Sequence, residues 1–366
     1  PGLVGTWCGE PGLDILITGG AGFVGSSLAR SFKKKNPQDR VVAFDNLRRR
    51  GSELNVAAFR REGIEFVHGD IRCPSDLEDL KGFFDVFVEA SAEPSVHAGM
   101  DGSPAYVLST NLGGTLHCLD FARRRAGAFI FLSTSRVYSI EPMRAIPLSE
   151  GKTRFDVAGV GDLPGLKPEG ISEAFPTHLP RSFYGAAKLS SELAIQEYAS
   201  SYGLKAVINR CGVIAGPGQF GKVDQGVFTL WVANHHYGKP LKYIGFGGQG
   251  KQVRDLMHPD DLFDLLQAQL SSPQGLRGGV YNAGGGLDVS TSLLEMTALC
   301  QKVTGRSIPI ASEPKTADVD VPWYVSDTAK VRAELGWKPK RTVLDIVGDI
   351  HGWIKDNESE LRSVFA

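Results

Sequence analysis

The stretch ITGGAGFVG, residues 17–25, decides the fold of this chain. It lies between an apolar run, LDILITG (13–19), and a segment with helical spacing, FVGSSLARSFKKK (23–35). Gly19, Gly22 and Gly25 lack the side chains that would obstruct a tight turn, close approach of the backbone to a pyrophosphate, and close packing of helix on strand. Bare amide groups and the helix dipole then favour phosphate at this turn. The pattern predicts a dinucleotide site that includes Gly19, Gly22, Phe23 and Val24.

Outward from this turn, short apolar runs alternate with helical segments. The predicted strands cover 13–19, 40–45, 64–70, 84–91, 128–134 and 205–213, and the predicted helices cover 23–35, 105–125 and 184–203. Such alternation is typical of βαβ units in a parallel sheet. The predicted fold class is therefore α/β: a Rossmann-type doubly wound parallel sheet with a smaller C-terminal substrate-binding domain.

Changes in composition along the chain suggest where its domains begin and end. We expect residues 1–12 to be an extension before the fold, and residues 13–212 to form the Rossmann domain, completed by about 256–300. Residues 213–255 and 301–366 are predicted to form the substrate-binding domain. The Gly/Pro-rich insert between Tyr138 and Tyr184 is too long for an ordinary connection, and we interpret it as a functional loop or flap.

The composition excludes several classes of protein. The 366 residues carry a formal net charge of -1, so no basic field points to nucleic acid. The apolar runs are too short to predict a membrane span. The five cysteines are odd in number and scattered, which favours a reducing, cytoplasmic compartment over disulfides or a metal site.

An acid at the end of the second strand indicates which dinucleotide binds. Asp45, in AFDN, can accept both ribose hydroxyls of an adenosine and would repel a 2′-phosphate, which favours NAD over NADP. The run of arginines at 48–50 could hold a phosphate, but we interpret it as a solvated charged segment. Asp70 and Ile71 end the third strand where an adenine edge would lie, although a capping role for Asp70 fits equally well.

Two further segments carry the candidate catalytic groups. YGAAK places Tyr184 and Lys188 four residues apart, on one face of a helix. A phenol has a pKa of about 10, and a nearby ammonium and a positive nicotinamide would lower it so that Tyr184 can take a proton from a sugar hydroxyl. STSRVY (133–138) supplies Thr134 to orient that hydroxyl, with strand-end capping as the alternative for Ser133, Thr134 and Ser135.

These segments resemble the extended short-chain dehydrogenase/reductases, and among them the nucleotide-sugar epimerases and dehydratases. The resemblance covers about residues 13–356 and rests on TGGAGFVG, FDNL, HGDIR, NLGGT, STSRVY, YGAAK and GKQVRDLMHPDD. Within the family, the 2-epimerases of CDP-sugars are the group that the chain resembles most, through FDNLRRRG, DQGV (224–227) and the long insert. The resemblance implies tightly held NAD, a transient keto-sugar, and homodimers packed through the helices at 105–125 and 184–203.

The resemblance also implies roles for individual residues. Thr134, Tyr184 and Lys188 match the catalytic triad of the family, and Arg254 matches an arginine that binds the nucleotide diphosphate. The residues implied to lie along the cofactor are Asn46, Ala90, Ser91, Ala92, Asn111 and Ser133, and those implied to face the substrate are Glu93, Ser135, Arg136 and Gln225.

Departures from the family pattern narrow the expected reaction. Dehydratases carry Asp-Glu after the catalytic Thr, whereas this chain has Ser135-Arg136, which disfavours dehydration. Arg136 is expected either to meet an anionic part of the substrate or to pair with Glu93. Glu89 and Glu93 replace the His and Gln of the usual strand ending, and Ala317 stands where a second diphosphate arginine is expected.

We therefore expect an NAD-dependent epimerase of a nucleotide sugar, with a CDP- or UDP-sugar as substrate. Three alternatives stay open: a 4-epimerase of a hexose or uronate, an NAD-dependent decarboxylase or oxidoreductase, and a non-catalytic NAD-sensing protein. A sensing protein would typically have lost Tyr184 or Lys188, and this chain keeps both.

Overall fold

A computed structural model describes residues 12–100, 102–221, 225–272 and 274–365 of the chain. The predicted extension, residues 1–12, lies outside these ranges except for Gly12. Asp224 of the DQGV segment also lies outside them, whereas Gln225 is described.

The strands of the described residues fall into one large sheet and several small ones. In chain order they are β1 (Asp14–Thr18), β2 (Arg40–Asp45), β3 (Glu65–His68), β4 (Phe84–Glu89), β5 (Ala126–Thr134), β6 (Leu148–Glu150), β7 (Phe155–Val157), β8 (Leu166–Lys167), β9 (Gly170–Ile171), β10 (Ala206–Cys211), β11 (Val213–Ile214), β12 (Leu241–Ile244), β13 (Val253–Met257), β14 (Arg277–Ala283), β15 (Ser290–Ser292), β16 (Ile310–Glu313) and β17 (Trp323–Tyr324).

The α-helices pack on the faces of these sheets or against one another. In chain order they are α1 (Phe23–Lys35), α2 (Glu53–Glu62), α3 (Pro74–Glu78), α4 (Ala105–Leu108), α5 (Gly114–Arg125), α6 (Ile140–Arg144), α7 (Phe183–Tyr202), α8 (Val227–Tyr237), α9 (Pro259–Leu270), α10 (Leu293–Thr304), α11 (Ala329–Leu335), α12 (Val343–Asp356) and α13 (Glu358–Phe365).

The large sheet confirms the predicted fold class. Seven strands are paired in the order β14-β10-β5-β4-β1-β2-β3, and every pairing in this sheet is parallel. Separate apolar clusters cover its two faces, because alternate residues of each strand point to opposite sides. The carboxyl ends of β1, β4, β5 and β10 therefore lie side by side at one edge, which is where open α/β sheets bind ligands.

The predicted helix at 105–125 is not continuous. A π-helical turn, Ser109–Gly113, separates α4 from α5 and has Asn111 fully buried at its centre. Periodicity does not distinguish this turn from an ordinary α-helix, and such turns occur often at functional sites. The turn gives Asn111 a position against the end of β4.

The predicted strand at 205–213 also divides. β10 ends at Cys211, and after Gly212 the two residues of β11 pair with β13 outside the large sheet. A Cβ on Gly212 would lie 2.9 Å from Asp255 Oδ1, so the chain crosses between sheets where only glycine fits.

The chain beyond β10 contributes both to the large sheet and to a further apolar cluster, apart from the two on the faces of that sheet. β14 completes the large sheet beside β10, while α8, α10 and α12 pack together around a cluster that includes Trp231, Met296 and Ile350. The boundary of a substrate-binding domain within residues 213–366 stays a prediction.

The Gly/Pro-rich insert is folded into short elements rather than an open loop. It contains α6 and two small hairpins, β6–β7 and β8–β9. Met143, Ile171 and Phe175 are buried in a cluster with Trp323 and Tyr324, so the insert packs on β17.

Candidate active site

A cavity of about 1010 Å³ lies at the carboxyl edge of the large sheet. The predicted site residues that line it are Phe23, Val24, Ala90, Ala92, Ser133, Thr134, Ser135, Arg136, Tyr184, Lys188, Gln225 and Arg254. These residues come from six separate segments of the chain, and the fold brings them to one place.

Other predicted site residues lie around this cavity without lining it. They are Gly19, Gly22, Asp45, Asn46, Asp70, Ile71, Ser91, Glu93 and Asn111. Several of them position the backbone of the wall, as their hydrogen bonds indicate, and their contact with a cofactor stays a prediction.

The glycine turn between β1 and α1 fits a pyrophosphate. A Cβ on Gly25 would lie 2.1 Å from the carbonyl oxygen of Gly19, so α1 can approach the turn only because residue 25 is glycine. Gly19 has a φ of +63°, in the left-handed region that favours glycine. α1 begins at Phe23 without a side-chain cap and without an acid in its first turn, which leaves amide groups available to an anion.

Asp45 closes the same turn at the end of β2. Its Oδ2 accepts a hydrogen bond from the Ala21 amide at 3.1 Å, and its Oδ1 accepts one from the Leu47 amide at 2.7 Å. Burial raises the pKa of Asp45, and these backbone donors oppose the rise. The carboxylate is therefore held beside the glycine turn, where the ribose of a bound dinucleotide is expected.

Asn46 and Asp70 meet at the neighbouring strand ends. The Asn46 amide donates to Asp70 Oδ2 at 2.9 Å, and Arg72 lies on the same oxygen at 2.6 Å. Hydrogen bonds from Arg72 lower the pKa of Asp70, which keeps it ionised. Ile71 is buried, and its carbonyl lies 2.9 Å from His117 Nδ1. Arg48, one of the three arginines at 48–50, lies over the Tyr106 ring, with 4.0 Å between its Cζ and the ring centre.

Tyr184 and Thr134 form the proton-handling pair of the cavity. Burial raises the pKa of Tyr184 to about 12, while a hydrogen bond with the Thr134 hydroxyl and the charge of Arg136 act to lower it. The expected lowering of this pKa is thus not provided by the groups of the protein itself, because desolvation of the phenolate outweighs them. A positive charge supplied by the cofactor would have to provide it.

Lys188 is buried and bonds to the backbone of β5. Its Nζ donates to the Leu132 carbonyl at 3.0 Å and lies 4.3 Å from the centre of the Phe131 ring. Glu89 is fully buried, and burial raises the pKa of its carboxyl group. The positive charge of the nearby Lys188 opposes this rise. Lys188 and Tyr184 line the same cavity, and the contact of Lys188 with a cofactor ribose stays a prediction.

A buried ion pair supports Ser133, and sequence reasoning missed it. The Ser133 hydroxyl donates to Glu192 Oε1, and Glu192 accepts from Arg210, with 2.7 Å between Arg210 Nη2 and Glu192 Oε2. Both charged side chains are almost wholly buried, at 9% and 2% exposure. Glu192 follows Lys188 by four residues and therefore lies on the same face of α7, which is the signal that could have identified it.

Asn111 and Glu93 are joined through the backbone. The Asn111 side chain accepts from the Glu93 amide at 2.7 Å and donates to the Glu93 carbonyl at 2.9 Å. The π-helical turn thereby fixes the segment after β4, which carries Ala90 and Ala92 into the cavity wall. Glu93 also raises the pKa of Tyr184 by charge repulsion.

Arg136 does not pair with Glu93, which was one of the two expectations for it. Its guanidinium donates to the Val319 carbonyl at 3.1 Å, and its backbone amide donates to Thr134 Oγ1, also at 3.1 Å. Arg254 donates to the Val253 and Val321 carbonyls, each at 2.7 Å. Burial and then the charge of Arg136 lower the pKa of Arg254 to about 9. Arg136 and Arg254 therefore place two positive charges on one wall of the cavity.

Gln225 completes the list of predicted substrate residues. It lines the cavity, and its side-chain oxygen is buried without a hydrogen-bond partner among the described residues. Within those residues no group of His, Cys, Asp and Glu side chains could hold a metal ion. No described helix is both long enough and apolar enough to span a bilayer.

Comparisons with known proteins give a family match and similar relatives. The family model described as "NAD dependent epimerase/dehydratase family" matches residues 15–284, which is more than half of the chain. A CDP-paratose 2-epimerase of Salmonella typhi is 31% identical over 354 residues, which cover 93% of this chain and 99% of that protein.

Two solved structures are similar over nearly all of the chain. The dTDP-glucose 4,6-dehydratase of Bacillus anthracis, solved in complex with NAD, has a TM-score of 0.73 at 25% identity and covers 96% of this chain and 99% of its own. The UDP-glucuronic acid 4-epimerase of Bacillus cereus, solved with UDP-glucuronic acid and NAD, has a TM-score of 0.74 at 24% identity. The match covers 94% of this chain and 99% of that one. The second likeness concerns the fold alone.

Proposed function

The chain belongs to the NAD-dependent epimerase/dehydratase family, and from that premise we propose that it is an NAD-dependent nucleotide-sugar epimerase. It is an enzyme of this family with NAD as its cofactor. The choice of epimerisation over dehydration is the more specific part of the proposal, because the relatives of this chain include both epimerases and dehydratases.

The observation that carries the choice is the pair of side chains after Thr134. Ser135 and Arg136 both line the cavity beside Tyr184. Elimination of a hydroxyl needs an acid to protonate the leaving group and a base to take a proton from carbon. A hydroxyl and a guanidinium can do neither at neutral pH, because an arginine keeps its charge. Epimerisation through a keto-sugar needs only one acid–base group.

Tyr184 would carry that proton, with Thr134 and Lys188 in supporting roles. NAD, when bound, would supply hydride-transfer chemistry at the reacting carbon. Tyr184 takes the proton of the sugar hydroxyl as the carbonyl forms, and gives it back after the keto-sugar has turned its other face. Thr134 orients the hydroxyl and stabilises the phenolate, and Lys188 holds the ribose of the cofactor. Ser133, fixed by Glu192, bounds this part of the cavity.

The glycine turn, Asp45 and the first turn of α1 would hold the rest of the cofactor. The missing Cβ at Gly25 and the uncapped start of α1 fit a pyrophosphate, and Asp45 fits a ribose that carries free hydroxyls. This fit supports NAD over NADP.

A 2-epimerase of a CDP-sugar is the reaction type that we propose first. Its support is the 31% identity to a CDP-paratose 2-epimerase across 93% of the chain. The likeness in fold to a UDP-glucuronic acid 4-epimerase keeps 4-epimerisation of a hexose or uronate as the nearest alternative. The configuration of the product at C2 and C4 distinguishes the two.

One carboxylate in the cavity favours a second candidate function. Asp320 lines the cavity near Arg136 and Arg254, and could act as the acid of an elimination or assist a decarboxylation. An Asp320→Asn variant separates the candidates, because epimerisation through Tyr184 should survive it. Net formation of NADH or CO₂ would favour an oxidoreductase or decarboxylase.

A homodimer through α5 and α7 is also part of the proposal. Leu193 and Tyr202 on α7 are 58% and 62% exposed, and Leu116 on α5 is also exposed. Large exposed apolar side chains on adjacent helices are typical of interaction surfaces. The free cysteines of the described residues agree with the proposed cytoplasmic compartment.

The test of the proposed function is a screen followed by product analysis. CDP-, UDP-, GDP- and dTDP-sugars are compared for thermal stabilisation of the NAD-loaded protein, since a ligand of the native state raises its apparent stability. The stabilising sugar nucleotide is then incubated with the wild-type protein and with Tyr184→Phe. Epimerised product that persists in Tyr184→Phe would contradict the proposed mechanism.

A further inference from the structure

Glu89 is a carboxyl group without exposure to solvent at the carboxyl end of β4. Its Oε2 accepts a hydrogen bond from the Thr115 hydroxyl at 3.1 Å, whereas its Oε1 is buried without a hydrogen-bond partner among the described residues. Glu89 is not one of the residues that line the cavity. A carboxylate buried in this way costs free energy unless a charge compensates it, so packing alone does not account for the side chain.

Lys188 carries a second buried charge, and its side chain is bonded to neutral groups. It is 2% exposed, donates to the Leu132 carbonyl at 3.0 Å and lies 4.3 Å from the centre of the Phe131 ring. Glu192, the acid four residues further along α7, is already bonded to Arg210. The ammonium of Lys188 therefore needs a compensating charge from elsewhere in the core.

The sheet brings these two buried charges into one region. Glu89 and Phe131 are paired in register on the neighbouring strands β4 and β5, and Lys188 lies over that same Phe131 ring. The positive charge of Lys188 reaches the carboxyl, because it opposes the rise in the pKa of Glu89 that burial causes. Cys118 of α5 is affected by both charges. Glu89 and Lys188 thus share a buried region from which only Lys188 reaches the cavity wall.

We propose that Glu89 is the counter-ion of Lys188 and positions its ammonium at the cavity wall, where Lys188 binds a ribose hydroxyl of the cofactor. Glu89 is a positioning residue, because it acts through Lys188 and lies outside the cavity lining. A hydrogen bond from a charged donor is stronger than a neutral one, so an ammonium fixed in place strengthens the hold on the ribose. The inference rests on the proposed function, in that Lys188 is taken to hold the ribose of NAD.

Stability of the fold does not require a charge at position 89. An amide of the same shape would still accept a hydrogen bond from the Thr115 hydroxyl, and it would avoid the cost of burying a carboxylate. A group that costs stability in the core is typical of active sites, where function depends on it.

The role of Glu89 makes cofactor binding depend on pH. Burial raises the pKa of Glu89, so the carboxylate takes up a proton at higher pH than an ordinary glutamate does. Protonation removes its charge, so the counter-ion is lost as pH falls through this raised pKa. Among the described residues, the titratable groups that face Glu89 are Lys188 on α7 and Cys118 on α5. Burial raises the pKa of the Cys118 thiol well above its ordinary value, so the thiol stays protonated in this pH range.

The experiment measures binding of NAD and of ADP to the full chain by calorimetry, from neutral to acidic pH. ADP lacks the nicotinamide ribose, so a loss that is confined to NAD concerns the part of the cofactor that Lys188 is taken to bind. Glu89→Gln removes the charge at constant shape, and Glu89→Asp keeps it. Thr115→Val is the matched control, because it removes the hydrogen bond to Glu89 and leaves the charge.

We expect Glu89→Gln to weaken NAD by about fivefold to twentyfold at neutral pH, and ADP by less than about twofold. Glu89→Asp and Thr115→Val should stay within about threefold of the wild type for both ligands. Affinity of the wild type for NAD should fall as Glu89 takes up its proton, and Glu89→Gln should lack this part of the fall. Any fall that comes from Asp45 is common to both proteins.

Lys188→Met tests whether Glu89 acts through Lys188. In the Lys188→Met background, Glu89→Gln should weaken NAD no further, because the group on which Glu89 acts is gone. The two substitutions are then non-additive, as expected of residues that work as one unit.

Each other outcome overturns the assignment. If Glu89→Gln binds NAD as the wild type does, Glu89 is not the counter-ion of Lys188. If it weakens NAD and ADP alike and lowers the denaturant midpoint, Glu89 supports the fold. If its effect persists in full in Lys188→Met, Glu89 acts by another route.

If Glu89→Gln does not fold, the pH dependence of Lys188→Met decides. Its affinity for NAD should fall less steeply than that of the wild type as pH is lowered, and equal falls would overturn the assignment. These are binding measurements, so they are independent of whether epimerised product forms. A failure of the proposed function is therefore seen separately, in the analysis of products.

Discussion

Replacing Thr134 by valine should shift the titration of Tyr184 to higher pH. Valine keeps the shape of threonine but removes the hydroxyl that hydrogen-bonds the phenol and lowers its pKa. A hydrogen bond to a charged group contributes about 1.5–3 kcal/mol, which corresponds to a shift of about 1–2 pKa units. Because this bond stabilises the phenolate, its loss raises the pKa, and below that pKa the phenolate fraction falls by about tenfold to a hundredfold.

The assay is the phenolate absorbance of the NAD-loaded protein as pH is raised. Each titration is referred to the same protein carrying Tyr184→Phe, so that the difference isolates one phenol. Ser135→Ala is the matched control, because Ser135 lines the same cavity but is not among the groups that shift the pKa of Tyr184. The midpoint should move in Thr134→Val and stay in place in Ser135→Ala.

The effect of Thr134→Val on the stability of the fold can be measured separately from its effect on the pKa of Tyr184. Thr134 Oγ1 also accepts the Arg136 amide, so valine leaves a donor unpaired and should lower the free energy of unfolding by about 1–3 kcal/mol. Denaturant unfolding measures that loss. A destabilised Thr134→Val protein whose Tyr184 titrates at the wild-type midpoint would refute the assignment of Thr134 to proton handling.

Three further predictions follow from the fold. Gly25→Ala places a Cβ 2.1 Å from the Gly19 carbonyl oxygen and should abolish co-purification of NAD, measured by absorbance, whereas Gly113→Ala, whose Cβ meets nothing within 4 Å, should retain it. Glu192→Ala leaves the buried guanidinium of Arg210 without its counter-ion and should cost about 3–5 kcal/mol of unfolding free energy, so an unchanged denaturant midpoint would count against it. Leu193→Glu places a charge in the exposed apolar surface of α7 and should yield monomers in sedimentation, and a dimer that persists would reject this interface.

Local sequence patterns are sufficient to predict those parts of the site that lie within one helix or one turn. The glycine turn with Asp45 depends on residues close in sequence, and Tyr184 and Lys188 share a helix face because they are four residues apart. The parallel sheet follows from the alternation of strands and helices, which places the strand ends, and Thr134 with them, at one edge. These features were predictable because short-range periodicity determines them.

The remaining features depend on contacts between distant segments. Arg136 and Arg254 meet only through the loop that carries Val319 and Val321, which are more than sixty positions from either arginine in the sequence. The π-helical turn at Asn111 has no periodic signature that separates it from an α-helix. The raised pKa of Tyr184 reflects burial by several segments, which no local motif reports.

The central claim is epimerisation through Tyr184 without net redox change. NAD-loaded protein is incubated with CDP-paratose, and the product is examined by nuclear magnetic resonance while nicotinamide absorbance is followed. We expect an equilibrium mixture of two sugars that differ at C2, no accumulation of NADH, and loss of the reaction in Tyr184→Phe. A product that has lost water or CO₂, or NADH that accumulates with turnover, would contradict it.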